Sequence, residues 1–135
     1  MSKINKIHHV AIVVESIEDS LSIWESLGLE IKSIHDVPEQ ESQVAFLSVG
    51  DSEIELVEPT NDSSGIARYL VKHGPGLHHI CIEIEDIKTT LANLQEQGFR
   101  LINTEPQTGK DGSKYAFIHP ESTNGVLVEL YEIPS

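Results

Sequence analysis

The sequence predicts one small α+β domain, two βαβββ modules forming one curved eight-stranded mixed sheet with helices on the outside. Three observations carry this. The chain has 135 residues, the length of one domain. It contains an internal repeat. Each copy passes from strand-like to helix-like periodicity and back in the same order. The boundaries read as a single domain over residues 1–135, with module one at 6–59, a linker at 60–75 and module two at 76–133.

Residues 7–28 begin Ile-His-His-Val-Ala-Ile and align without a gap on residues 77–98, which begin Leu-His-His-Ile-Cys-Ile. His8-His9 falls on His78-His79, Ile17 on Ile87, Leu21 on Leu91 and Gly28 on Gly98, each 70 residues on. The copies also end alike, Ile54-Glu55-Leu56-Val57-Glu58-Pro59 against Val128-Glu129-Leu130-Tyr131-Glu132-Ile133-Pro134. The offset there is 74, so the second copy carries extra loop residues.

Ile7–Val14 and Leu77–Ile84 are rich in β-branched residues and read as strands. Ser16–Leu27 places Ile17, Leu21, Ile23, Trp24 and Leu27 at helical spacing, and Asp86–Gln97 does so with Ile87, Leu91 and Leu94. Gly28 and Gly98 follow these helices, where glycine accepts positive φ. Leu29–Val37, Gln43–Val49 and Ser52–Val57 complete module one, with a Gly50-Asp51 turn before the last. Phe99–Asn103, Lys114–Ile118 and Gly125–Glu132 are the matching strands of module two, with a loop over Pro106–Ser113. The linker holds a short helix, Ile66–Lys72, ended by Pro75.

The formal charge of −13, from 9 basic and 22 acidic residues, excludes nucleic acid and anionic membranes as partners. An anionic small molecule needs a metal or a local basic patch to draw it in. No apolar run reaches 18 residues, and Met1 to Lys6 lacks the pattern of a signal peptide. Cys81 is the single cysteine and reads as a buried, inert thiol. These features suggest a cytoplasmic protein.

A metal site needs lone-pair donors from separate parts of the chain. Donors that recur in both copies are His8/His78, His9/His79 and Glu55/Glu129. Side chains alternate along a strand, so one member of each histidine pair faces a shared site. Periodicity leaves the choice of member even. His35 and His73 read as surface residues, His119 as shaping a turn before Pro120, and Trp24 as core.

The strings Ile7-His8-His9-Val10-Ala11-Ile12, Glu53-Ile54-Glu55-Leu56-Val57-Glu58-Pro59, Gly76-Leu77-His78-His79-Ile80, Phe117-Ile118-His119-Pro120 and Gly125-Val126-Leu127-Val128-Glu129-Leu130 resemble methylmalonyl-CoA epimerase. That family lies within the vicinal oxygen chelate (glyoxalase-like) superfamily, and the likeness spans about residues 6–132. It implies a divalent metal held by His9, Glu55, His79 and Glu129, with cobalt expected and zinc, nickel, manganese or iron as alternatives. It also implies an acyl-CoA substrate and is compatible with a homodimer. The chain departs from the family at Glu121, where relatives carry lysine, and at Val44, where some members place a second acid/base glutamate.

The chemistry so implied is proton abstraction beside a carbonyl. Two histidines and two carboxylates around an octahedral ion leave two positions for a malonyl-type thioester. The ion acts as a Lewis acid toward the enolate. A base removes the α-proton on one face and an acid returns one on the other, inverting carbon 2 of methylmalonyl-CoA (2R/2S). Glu129 is the candidate catalytic carboxylate. The competing readings are a glyoxalase I-type lactoylglutathione lyase and a non-enzymatic small-molecule-binding relative.

Overall fold

The structure, a computed structural model, describes residues 3–134. The N-terminal reading and the domain bounds also touch Met1, Ser2 and Ser135, which lie outside the described residues. The elements are β1 (Ile4–Val13), α1 (Ile17–Ser26), β2 (Glu30–Val37), β3 (Ser42–Val49), β4 (Ser52–Pro59), α2 (Gly65–His73), β5 (Gly76–Ile84), α3 (Ile87–Glu96), β6 (Gln107–Thr108), β7 (Lys114–Ile118) and β8 (Leu127–Glu132). They form a single open eight-stranded mixed sheet in the order β2-β3-β4-β1-β5-β8-β7-β6 with three helices, the α+β class expected. Among the described residues no helix is long and apolar enough to cross a membrane.

The residues divide into two compact units, 9–78 and 1–8 with 79–135, so β1 contributes to both. In the first, β1 pairs in parallel with β4, and β4 continues antiparallel through β3 to β2. In the second, β5 pairs in parallel with β8, and β8 continues antiparallel through β7 to β6.

Each unit builds a core between one sheet face and one helix. Ile17, Leu21 and Trp24 of α1 pack with Ala45, Leu47 and Leu56. Ile87, Leu91 and Leu94 of α3 pack with Ile84, Ala116 and Leu130. Burying a leucine side chain contributes about 1.5–3 kcal/mol, so these stripes fix each helix to its sheet. Trp24 is thus core, and Cys81 is buried, as the sequence suggested.

Both helices start on a side-chain cap. Ser16 Oγ accepts from Asp19 N–H at 3.2 Å, and Asp86 Oδ1 from Thr89 N–H at 3.1 Å. Gly28 (φ 100°) and Gly98 (φ 84°) follow in the left-handed region anticipated for them. The two modules use the same devices at both ends of their helices.

One strand departs from expectation. Phe99–Asn103 forms only an isolated bridge at Leu101–Ile118, while β6 lies inside the stretch read as a loop. The N–H groups of Ile102 and Asn103 both reach Phe117 O, and Asn103 Oδ1 takes the Phe117 N–H. A side chain therefore occupies a place in the ladder that backbone would need to continue the strand.

Candidate metal centre

Alternation along β1 puts His9 on the face of Ala11 and Val13, away from α1, and alternation along β4 puts Glu55 on the face of Val57. His9 is 7% exposed, and its Nδ1 lies 3.1 Å from Glu55 Oε2. In the other unit, His79, Cys81 and Glu83 share the face turned from α3, as do Glu129 and Tyr131. His79 Nε2 lies 3.1 Å from Glu129 Oε1, both side chains being largely buried. Phe117 and His79 meet nearly perpendicular, with ring centroids 5.9 Å apart.

The donor sets fit a divalent cation. Two ligand atoms each about 2.1 Å from one ion and at right angles lie roughly 3.0 Å apart. The 3.1 Å separations satisfy this in each unit. The same distance also suits a direct histidine–carboxylate hydrogen bond, so each pair is ready for a metal without requiring one.

Periodicity left the histidine pairs undecided; here the second members meet the carboxylates. His8 instead lies tilted against Tyr131 with ring centroids 4.6 Å apart, and His78 and Tyr69 meet in a T-shaped contact at 4.9 Å. His119 accepts from Glu121 N–H at 3.0 Å and so shapes the turn after it. His35 and His73 are exposed.

The two departures also have positions. Val44 is 3% exposed within an apolar cluster with Ala11 and Val57, so β3 offers no carboxylate there. Glu41, the nearest acid on that segment, is exposed at the end of a turn with φ 51°. Glu121 pairs with Arg100 at 2.7 Å on the surface.

Sequence reasoning overlooked two residues of the same repeat. Glu58 Oε1 accepts from Ile17 N–H at 2.7 Å, and Glu132 Oε1 accepts from Ile87 N–H at 2.9 Å. Each carboxylate sits three residues beyond Glu55 or Glu129. It ties the strand carrying that donor to the N-terminus of its module's helix, where the macrodipole favours negative charge. Their recurrence in the two matched strings was the available signal.

Module two also buries Glu83, 8% exposed, whose Oε2 accepts from Asn5 Nδ2 at 3.1 Å. Beside it, burial pushes the Tyr131 phenol above its ordinary range, opposed by a hydrogen bond with Ser113.

Comparison with known proteins places this geometry among relatives. Residues 8–117 match the pattern of the glyoxalase/bleomycin resistance protein/dioxygenase superfamily. The chain is 37% identical over 133 residues to an ethylmalonyl-CoA/methylmalonyl-CoA epimerase of Cereibacter sphaeroides, covering 96% of this chain and 99% of that protein. Its fold superposes on a hypothetical protein of Bacillus halodurans with a TM-score of 0.89 at 40% identity, covering 96% and 95% of the two chains. It also superposes on a Streptomyces coelicolor methylmalonyl-CoA epimerase variant in complex with 2-nitronate-propionyl-CoA. There the TM-score is 0.84 at 28% identity, covering 98% of this chain and all of the other.

Proposed function

The chain belongs to the glyoxalase/bleomycin resistance protein/dioxygenase superfamily, and within it we propose a metal-dependent epimerase that inverts carbon 2 of methylmalonyl-CoA. The observation that carries this reading is the repeated pair: a histidine and a carboxylate 3.1 Å apart at matching places in both modules. The Cereibacter sphaeroides and Streptomyces coelicolor relatives supply the substrate class.

His9, Glu55, His79 and Glu129 would together hold one divalent ion, with cobalt expected. When bound, the ion would stabilise negative charge developing on the substrate's carbonyl oxygens. The protein residues do the rest. Burial of both pairs keeps water from the donors, which strengthens their interactions with charge. Phe117 holds the His79 ring in place. Glu58 and Glu132 fix the donor strands to helix N-termini. Glu129 is the carboxylate assigned to proton transfer. Its partner on the opposite face of the substrate does not come from β3, where Val44 lies in apolar packing.

The test begins with elemental analysis of the purified protein, then NMR of methylmalonyl-CoA in D₂O. One ion per chain is expected, with deuterium entering carbon 2 only when metal is bound. His9→Ala and His79→Ala should each weaken metal binding by more than ~100-fold, beyond what loss of an outer-shell partner costs. If each pair held its own ion, each variant would retain half the metal, and the shared-site reading would fall. Metal without exchange would keep the site and discard the substrate.

A further inference from the structure

We propose that Phe46 of β3 sets substrate specificity: its ring walls the space beside Glu55 and limits the alkyl group that carbon 2 can carry. The inference rests on the epimerase reading for the substrate class, and ligand binding tests it apart from catalysis.

Two of the three phenylalanines recur in the repeat. Val44-Ala45-Phe46-Leu47 falls on Tyr115-Ala116-Phe117-Ile118, 71 residues on. In the antiparallel ladders Phe46 lies directly opposite Glu55, and Phe117 directly opposite Glu129. Opposed residues project from the same sheet face, so each module sets an aromatic ring beside its donor carboxylate. Both phenylalanines are half-buried.

Their surroundings differ. At four matching places on this face module one has Ala11, Val13, Val44 and Val57, where module two has Cys81, Glu83, Tyr115 and Tyr131. One donor face continues as aliphatic surface, the other as polar and ionisable groups. An alkyl group leaves water favourably against the first, whereas at the second it would displace the partners that polar atoms need. Ala11, Val13, Val44 and Val57 are themselves fully packed. Phe46 rests on Ala11, Val44 and Val57 together with Val37 and Ile66, and keeps part of its own surface open. Of this apolar half it is the residue that stands opposite a donor. The His35 ring meets it with centroids 5.7 Å apart and helps hold it there. Phe117 is engaged otherwise, against the His79 ring.

The experiment is calorimetric titration of the metal-loaded protein with methylmalonate and with propylmalonate, dicarboxylates that differ only in the alkyl group. The wild type should prefer methylmalonate by about tenfold or more, the discrimination that methylene differences reach in an apolar pocket. Phe46→Ala should erase or reverse that preference and Phe46→Leu should fall between, with melting temperatures showing that both fold. Phe117→Ala, at saturating metal, should weaken the two ligands alike. An unchanged preference in Phe46→Ala, an equal change of preference in Phe117→Ala, or a wild type that does not discriminate overturns the wall. Deuterium exchange at carbon 2 of methylmalonyl-CoA, followed in parallel, decides the epimerase reading by itself. A preference that follows Phe46 without exchange in the wild type sinks that reading and keeps the wall; exchange with a preference indifferent to Phe46 does the reverse.

Discussion

Module one has an eight-residue strand, β2, next to β3; module two has a lone bridge at Leu101 and the two-residue β6 in the corresponding place. The inner strands show no such divergence. β1 pairs with β4 and β5 with β8 in parallel, five residue pairs each, and these four strands carry the metal-ready histidines and carboxylates. An outer strand can shorten when a side chain such as Asn103 satisfies the ladder in its place. A donor strand cannot slip by one residue without turning its histidine to the opposite face. The repeat is thus strict where it holds the donors and loose where it only covers the edge.

The largest expected effect tests whether equivalence in sequence means equivalence in packing. Leu21 and Leu91 occupy the same position of the repeat, but Leu91 is 1% exposed while Leu21 is only half-buried. Leu91→Ala should cost about 2–5 kcal/mol in chemical denaturation and Leu21→Ala clearly less. Equal costs would mean that the two helices bear equally on their sheets and that the burial difference has no energetic weight.

A smaller effect separates two buried serines, Ser42 at the first residue of β3 and Ser113 just before β7. Ser113 Oγ donates to Asp111 Oδ1 at 2.6 Å and is joined to Tyr131, whereas Ser42 Oγ, fully buried, has no hydrogen-bond partner among the described residues. Leaving a buried hydroxyl unsatisfied costs roughly 1–3 kcal/mol, so its removal relieves a penalty. Ser42→Ala should therefore be neutral or stabilising in a thermal melt. Ser113→Ala should destabilise by about 1 kcal/mol or more. A destabilising Ser42→Ala would show that this hydroxyl is satisfied in solution.

Much of this was legible in the sequence. The strands and helices followed from periodicity, because each has one buried face and the pattern records it. The helix ends followed from Ser16, Asp86, Gly28 and Gly98, whose chemistry is local. The edge at Phe99–Asn103 was misread because its residues favour a strand, while the competing hydrogen bonds come from Phe117, fourteen residues after Asn103. Choosing between His8 and His9 needed the partner strand as well. The part played by Glu58 and Glu132 emerged only with the helix N-termini, 41 and 45 residues away in sequence, beside them. Long-range pairing is what a single strand's pattern does not encode.

The smallest effect comes from the caps themselves. Module one starts its helix on Ser16, which does not titrate; module two starts on Asp86, which does. Hydrogen bonds from the Thr89 hydroxyl and then from its backbone N–H hold Asp86 below the ordinary carboxylate value of 3.8. A carboxyl whose folded-state pKa is depressed contributes stability above the unfolded value and loses it as pH falls through the folded one. The α3 cap should therefore weaken below about pH 4, while the α1 cap keeps its strength. Melting temperatures of the wild type and Asp86→Ser, followed from pH 7 to pH 2, should shift in favour of the variant at the acid end. Ser16→Asp should give module one the same acid sensitivity. If the wild type and Asp86→Ser stay a constant interval apart across the whole range, protonation of Asp86 does not loosen α3, and the two caps are interchangeable despite their different chemistry.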